Sequence, residues 1–105
     1  MHPLPYCVYV LLSEKDKFLY IGYSADLETR IRRHHSGESK STASRRPLQL
    51  IFCEFYLFKS DALKREQYFK TTAGKKALKF MLGSTFEKLG YKGIKFEVLE
   101  DLCED

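Results

Sequence analysis

The chain has 105 residues, 44% hydrophobic and 30% charged, which fits one domain with a single modest core and an ordinary soluble composition. No apolar run approaches the roughly 20 residues that cross a bilayer, and residues 1–12 lack the basic start and small-residue cleavage site of a secretory signal, so no membrane partner is expected and the cytoplasm is the expected location. Net charge is +4, but five of the 14 carboxylates stand in residues 97–105, which hold no base, so residues 1–96 carry 18 Lys and Arg against nine Asp and Glu.

Residues 6–12 (YCVYVLL) and 18–23 (FLYIGY) are apolar and rich in strand formers, and the polar stretch SEKDK between them predicts a β-hairpin with a five-residue loop. Asp26 is a good N-cap for a helix running to about His35, with Leu27, Ile31 and His34 on its inner face and Gly37 ending it. Residues 36–47 (SGESKSTASRRP) have no period and read as a mobile loop of small, polar and basic residues. Leu48 to Phe55 reads as a third strand. Ser60 or Asp61 then caps a helix to about Lys70, with Ala62, Leu63, Gln67 and Phe69 near its packed side. Gly74 breaks the pattern, and Lys75 to Leu82 reads as a short third helix. The stretch KGIKFEVLE alternates Ile94, Phe96 and Val98, which suggests a fourth, edge-type strand before the acidic end. The whole is α+β: a small three-stranded antiparallel sheet, with a possible fourth edge strand, flanked by helices. Three cysteines, Cys7, Cys53 and Cys103, are too few and too widely spaced for a disulfide framework or a zinc site; Cys7 and Cys53 lie in apolar runs and read as reduced core thiols.

Few polar groups in this order can converge. Tyr9 and Tyr20 occupy matching places in the two hairpin strands, eleven positions apart, and Arg30 and His34 lie four apart on the helix that follows. Such an arrangement can bring two phenols, a guanidinium and an imidazole together. Taken singly, each has a plainer reading: strand aromatics favoured by the sheet, or a solvated helix face.

The pattern resembles the GIY-YIG nuclease family over roughly residues 5–82. Its first signature falls on Val8-Tyr9 in CVYVLL, without the family's glycine, and its second on Tyr20-Ile21-Gly22. The family arginine falls on Arg30, its Tyr-or-His partner on His34, and the metal-binding glutamate on Glu66 in SDALKREQYFK. The stretch STASRRPLQLIF is similar to the short single-domain bacterial members, which are related to the nuclease half of a bacterial excinuclease. Where many members follow YIG with lysine, this chain has Tyr23, which removes a supporting contact rather than the core machinery.

What the resemblance implies is a metal-dependent DNA endonuclease, an enzyme of DNA repair, recombination or foreign-DNA processing, with residues 1–82 as the nuclease domain and 83–105 as an extension ending in the acidic tail. Tyr9 would act as base, Tyr20 would meet the phosphate or orient the nucleophile, Arg30 would stabilise charge and His34 would relay a proton or position Tyr9. Glu66 would hold one Mg²⁺ or Mn²⁺. Charge alone attracts polyanions, and Arg32, Arg33, Lys40, Arg45 and Arg46 are the candidate DNA-binding residues, with Lys64, Lys75, Lys76 and Lys79 extending the track. The competing expectation is a catalytically weak nucleic-acid-binding module acting within a larger complex. Nothing in the chain fixes the oligomeric state.

Overall fold

A computed structural model describes residues 3–89 and the backbone of residues 95–100. The two apolar runs form strands β1 (Tyr6–Ser13) and β2 (Phe18–Ser24), antiparallel, with Tyr9 opposite Gly22 and Leu11 opposite Tyr20. The turn is tighter than SEKDK suggests, because Ser13 remains in β1. The Ser13 hydroxyl oxygen accepts from the Lys15 and Asp16 N–H groups, the Asp16 carboxylate accepts from the Phe18 N–H, and Lys17 takes a left-handed φ of 65°.

Strand β3 (Leu48–Tyr56) pairs antiparallel with the other side of β1, with a register shift between Val10 and Leu11. The predicted fourth strand is present as β4 (Lys95–Glu100), paired parallel to β2 at the sheet edge, so the order is β3-β1-β2-β4. Its side-chain alternation through Ile94, Phe96 and Val98, Cys103 and the acidic residues 101–105 lie outside the described residues.

Helices cover both faces of β1 and β2, which explains why these strands read as continuous apolar runs rather than alternating ones. Helix α1 (Leu27–Ser36) sends Leu27 and Ile31 onto the face carrying Cys7, Tyr9, Leu11 and Tyr20. Asp26 caps it as expected. The Thr29 hydroxyl, and then its N–H, bond the Asp26 carboxyl and hold it below its ordinary value. Gly37 ends the helix at φ 85°.

On the opposite face, helices α2 (Lys59–Phe69), α3 (Thr72–Met81) and α4 (Gly83–Lys88) pack Ala62, Phe69, Leu78, Leu82 and Phe86 against Val8, Val10, Leu12, Leu19, Ile21 and Tyr23. Each aliphatic side chain so buried is worth roughly 1.5–3 kcal/mol. The sequence expectation for α2 is off at its start and at one residue of its packed side: Ala62, Leu63 and Phe69 pack on the core as expected, Gln67 does not. The helix begins at Lys59 after Phe58, which offers no side-chain cap, and Asp61 lies inside the first turn, where its charge suits the helix dipole. The buried stripe is Ala62, Glu66 and Phe69, while Gln67 is exposed.

Gly74 does not break a helix; it lies within α3. A Cβ there would come within 1.8 Å of the Tyr68 carbonyl oxygen, so only glycine lets the start of α3 close on the end of α2. Thr71 caps that helix by accepting from the Gly74 N–H at 3.0 Å. Helix α4 has too few residues to show a period, and its Phe86 completes the core. Cys7 is buried, and burial, then the neighbouring Cys53, pushes its thiol up to about 12. Cys53 is exposed on β3 rather than a core thiol.

Candidate active site

Tyr9 reaches the site from β1, Tyr20 from β2, and Arg30 and His34 from successive turns of α1. All four are nearly closed to solvent, with relative exposures of 0%, 1%, 2% and 0%. The stripe Leu27, Arg30, Ile31, His34 follows the helix period, and the apolar members anchor it to the sheet, so the two polar members are carried inward. His34 is the hub. Its Nε2 lies 2.9 Å from the Tyr9 hydroxyl, and its ring meets both tyrosine rings edge-on at centroid distances of 5.7 Å.

Sequence reasoning missed the other side of this hub. Residues 36–47 are not an unattached loop: Ser39 and Thr42 are buried, and residues 43–45 form a 3-10 turn. The Thr42 hydroxyl lies 2.7 Å from Nδ1 of His34, and Tyr20 donates its hydroxyl to Ser41. Two adjacent loop residues thus engage the histidine and one of the tyrosines. The segment has no hydrophobic period, so no sequence signal marks which of its hydroxyls turn inward.

Glu66 arrives on α2, between Ala62 and Phe69, on the helix layer that covers the other face of the sheet. It is 4% exposed, and its carboxylate pairs with the Lys70 ammonium at 3.4 Å one turn later. The described contacts therefore join Tyr9, Tyr20 and His34, with Arg30 on the same helix stripe, and leave Glu66 engaged with Lys70. Among the described residues no group of three or more His, Cys, Asp or Glu could hold a metal ion. One carboxylate fits only a hard divalent ion that keeps most of its water, which is how Mg²⁺ is commonly held. Lys70 would have to give way to it.

The cationic residues divide into two kinds. Arg32, Arg33, Lys40 and Arg46 are exposed. Arg45 is engaged inside the structure: it pairs with Asp16 and lies over the Phe18 ring at 5.4 Å. Arg46 bonds the Ala43 and His35 carbonyl oxygens and ties the loop back to α1. Lys64, Lys76 and Lys79 are exposed and Lys75 is half-buried. Arg65 instead locks α2 to β3, forking onto Glu54 at 2.9 and 3.2 Å with its guanidinium 4.3 Å from the Phe69 ring centre. Tyr56 donates to the same carboxylate, and burial, then Glu54, pushes its phenol up to about 12.

A family model for the GIY-YIG catalytic domain matches residues 5–79, and the chain belongs to that family. A UPF0213 protein of Staphylococcus saprophyticus is 47% identical over 68 residues, covering 64% of this chain and 83% of the relative. A UPF0213 protein of Staphylococcus aureus is 42% identical over 67 residues, covering 63% of this chain and 82% of the relative. No solved structure matches. The domain is thus of a nuclease type, with nucleic acid as its class of substrate. No helix among the described residues is long and apolar enough to cross a membrane.

Proposed function

We propose that the chain is a metal-dependent DNA endonuclease that hydrolyses phosphodiester bonds, in repair, recombination or foreign-DNA processing. The observation that carries the reading is the Tyr9–His34 contact of 2.9 Å, buried beside Tyr20 and on the Arg30 stripe. A phenol is a poor base at its ordinary pKa of about 10, and a buried imidazole at its oxygen is a means of activating it.

Tyr9 takes the proton of the attacking water. Arg30 offers a permanent forked charge to the phosphate oxygens as negative charge builds. Tyr20 exchanges its Ser41 partner for a phosphate oxygen or the nucleophile. His34 orients the Tyr9 oxygen. Glu66 would hold the divalent ion, Mg²⁺ or Mn²⁺, which when bound supplies Lewis-acid neutralisation at the phosphate and leaving oxygen. Exposed Arg32, Arg33, Lys40 and Arg46 meet the backbone without reading bases, so binding is tolerant of sequence.

The closed state of the site favours a second reading, a catalytically weak binding module inside a larger complex. With Tyr9, Tyr20 and Arg30 at most 2% exposed, a phosphate reaches them only when the surrounding chain opens. One experiment separates the two. Labelled duplex, nicked, flap and four-way-junction DNA is incubated with Mg²⁺ or Mn²⁺ and wild type, Glu66→Ala or Arg30→Ala. Cutting by wild type that is lost in both variants supports the nuclease; equal binding by all three without cutting supports the module.

A further inference from the structure

We propose that the solvent side of α3 is a platform for unpaired DNA, on which the Phe80 ring stacks against a base while Lys76 and Lys79 meet the flanking phosphates. That the polyanion is DNA rests on the nuclease reading above; the platform itself rests on the arrangement of α3.

Helix α3 divides by its period. Gly74 and Leu78, one turn apart, are buried and turn toward α2 and the sheet. Lys76 and Phe80 are also one turn apart, two positions further along, which places them on the opposite side. Both are exposed, and Phe80, at 89%, is the most exposed large hydrophobic residue among those described. Its ring therefore adds nothing to the core, whereas Leu78 on the same helix is closed to solvent. Among the described residues the side chains of Lys76 and Phe80 make no hydrogen bond, ion pair or ring contact.

Charge and spacing select the occupant. Residues 67–86 hold four lysines and no Asp or Glu, and a cationic stripe attracts a polyanion. A protein partner fits less well, since lysine is depleted at the centre of protein interfaces. Positions i and i+4 of a helix hold their Cβ atoms about 5–6 Å apart, so a base lying on the ring brings its own phosphate within reach of the Lys76 ammonium. In a duplex each base is covered by its stacked neighbours, so only an unpaired base can lie on Phe80. The substrate class narrows accordingly: DNA with a flap, an end or a junction arm of unpaired nucleotides binds here better than a continuous duplex.

The chain has no tryptophan, so Phe80→Trp places a single fluorescent indole on this surface of the full chain. Labelled oligothymidylate of about 15 nucleotides, and a duplex of the same length, are titrated in EDTA so that binding is read without cutting. Phe80→Trp is expected to bind the single strand as tightly as wild type, with its fluorescence quenched by the bases. Phe80→Leu, which stays apolar and exposed, is expected to weaken single-strand binding about tenfold or more, and duplex binding by less. Lys76→Ala is expected to lower the log–log salt slope of single-strand binding by about 0.7. An unquenched indole at saturating oligothymidylate, or equal single-strand affinity in wild type and Phe80→Leu, overturns the platform. Sedimentation of the same proteins tests a second copy as occupant: self-association lost in Phe80→Leu, with single-strand affinity unchanged, overturns it too. Binding of oligouridylate RNA about tenfold tighter than of oligothymidylate overturns the choice of DNA. A quenched indole in a protein that cuts no DNA supports the platform and overturns the nuclease reading alone.

Discussion

Asp16 joins the β1–β2 turn to the segment before β3, pairing with an arginine 29 positions further along the chain. Burial raises its carboxyl, but the Arg45 bond, the Phe18 N–H and the Ser13 hydroxyl together outweigh that and hold it below its ordinary value. A carboxyl lowered in the folded state contributes stability above its unfolded pKa of about 3.9 and loses it as pH falls through the folded value. Asp16→Asn should therefore be less stable than wild type by about 0.5 kcal/mol near neutral pH, screening included, and the gap should close in acid, once pH has fallen through the folded value. Urea denaturation at the two pH values checks this; a gap that persists in acid would refute it. At this scale the site was partly legible. Tyr9, Tyr20, Arg30 and His34 follow strand and helix periods, so their convergence could be read from spacing. Thr42 and Ser41 could not, because a loop hydroxyl carries no period. Arg45 read as a DNA contact because its charge was visible and its Asp16 partner was not.

Helix ends and helix contacts hold most of what the sequence concealed. Gly74 looks like a breaker because glycine is costly within a helix, yet the Tyr68 carbonyl 1.8 Å from its missing Cβ is a tertiary fact. Propensity alone makes Gly74→Ala favourable by about 1 kcal/mol, whereas the clash makes it unfavourable by about 3 kcal/mol. The clash should win, and a lower urea midpoint with an unchanged slope would show it; a stabilised variant would contradict the packing of α3 on α2. On α2 only Gln67 was misassigned, because Gln67 and Glu66 are both polar and burial of Glu66 goes with its Lys70 partner. Lys70→Gln should lower thermal stability by leaving that carboxylate alone. It should also tighten Mn²⁺ binding by roughly threefold to tenfold, about 1 kcal/mol, since the competing ammonium is gone. Melting curves with and without Mn²⁺ read both effects. Equal metal affinity in the two proteins would argue against Glu66 as the ligand.

For the whole molecule, length, charge and the two apolar runs were enough for an α+β domain with helices about a small sheet, and the β1–β2 hairpin was read correctly, whereas the place of β3 beside β1 was not read. What the sequence withheld was enclosure, since Tyr9, Tyr20, Arg30 and His34 are buried where α1 packs on the sheet, with the Ser41–Thr42 stretch of the loop against them. Exposed cations remain outside that enclosure, among them Arg32 and Arg33 on α1 and Lys40 and Arg46 on the following segment. Duplex binding should weaken linearly in log–log with salt, at about 0.9 per phosphate neutralised, and Arg33→Ala should lower the slope by about one without changing sequence preference. Affinity that does not respond to salt would remove the electrostatic basis of binding.

Single-turnover cleavage of the preferred DNA by Tyr9→Phe beside wild type reaches the chemistry most directly, because it deletes the one oxygen that His34 meets at 2.9 Å and leaves the buried ring in place. A loss of about a hundredfold or more with the fold intact is expected if Tyr9 is the base. A Tyr9→Phe protein that cuts at the wild-type rate would show that the reaction does not pass through that oxygen.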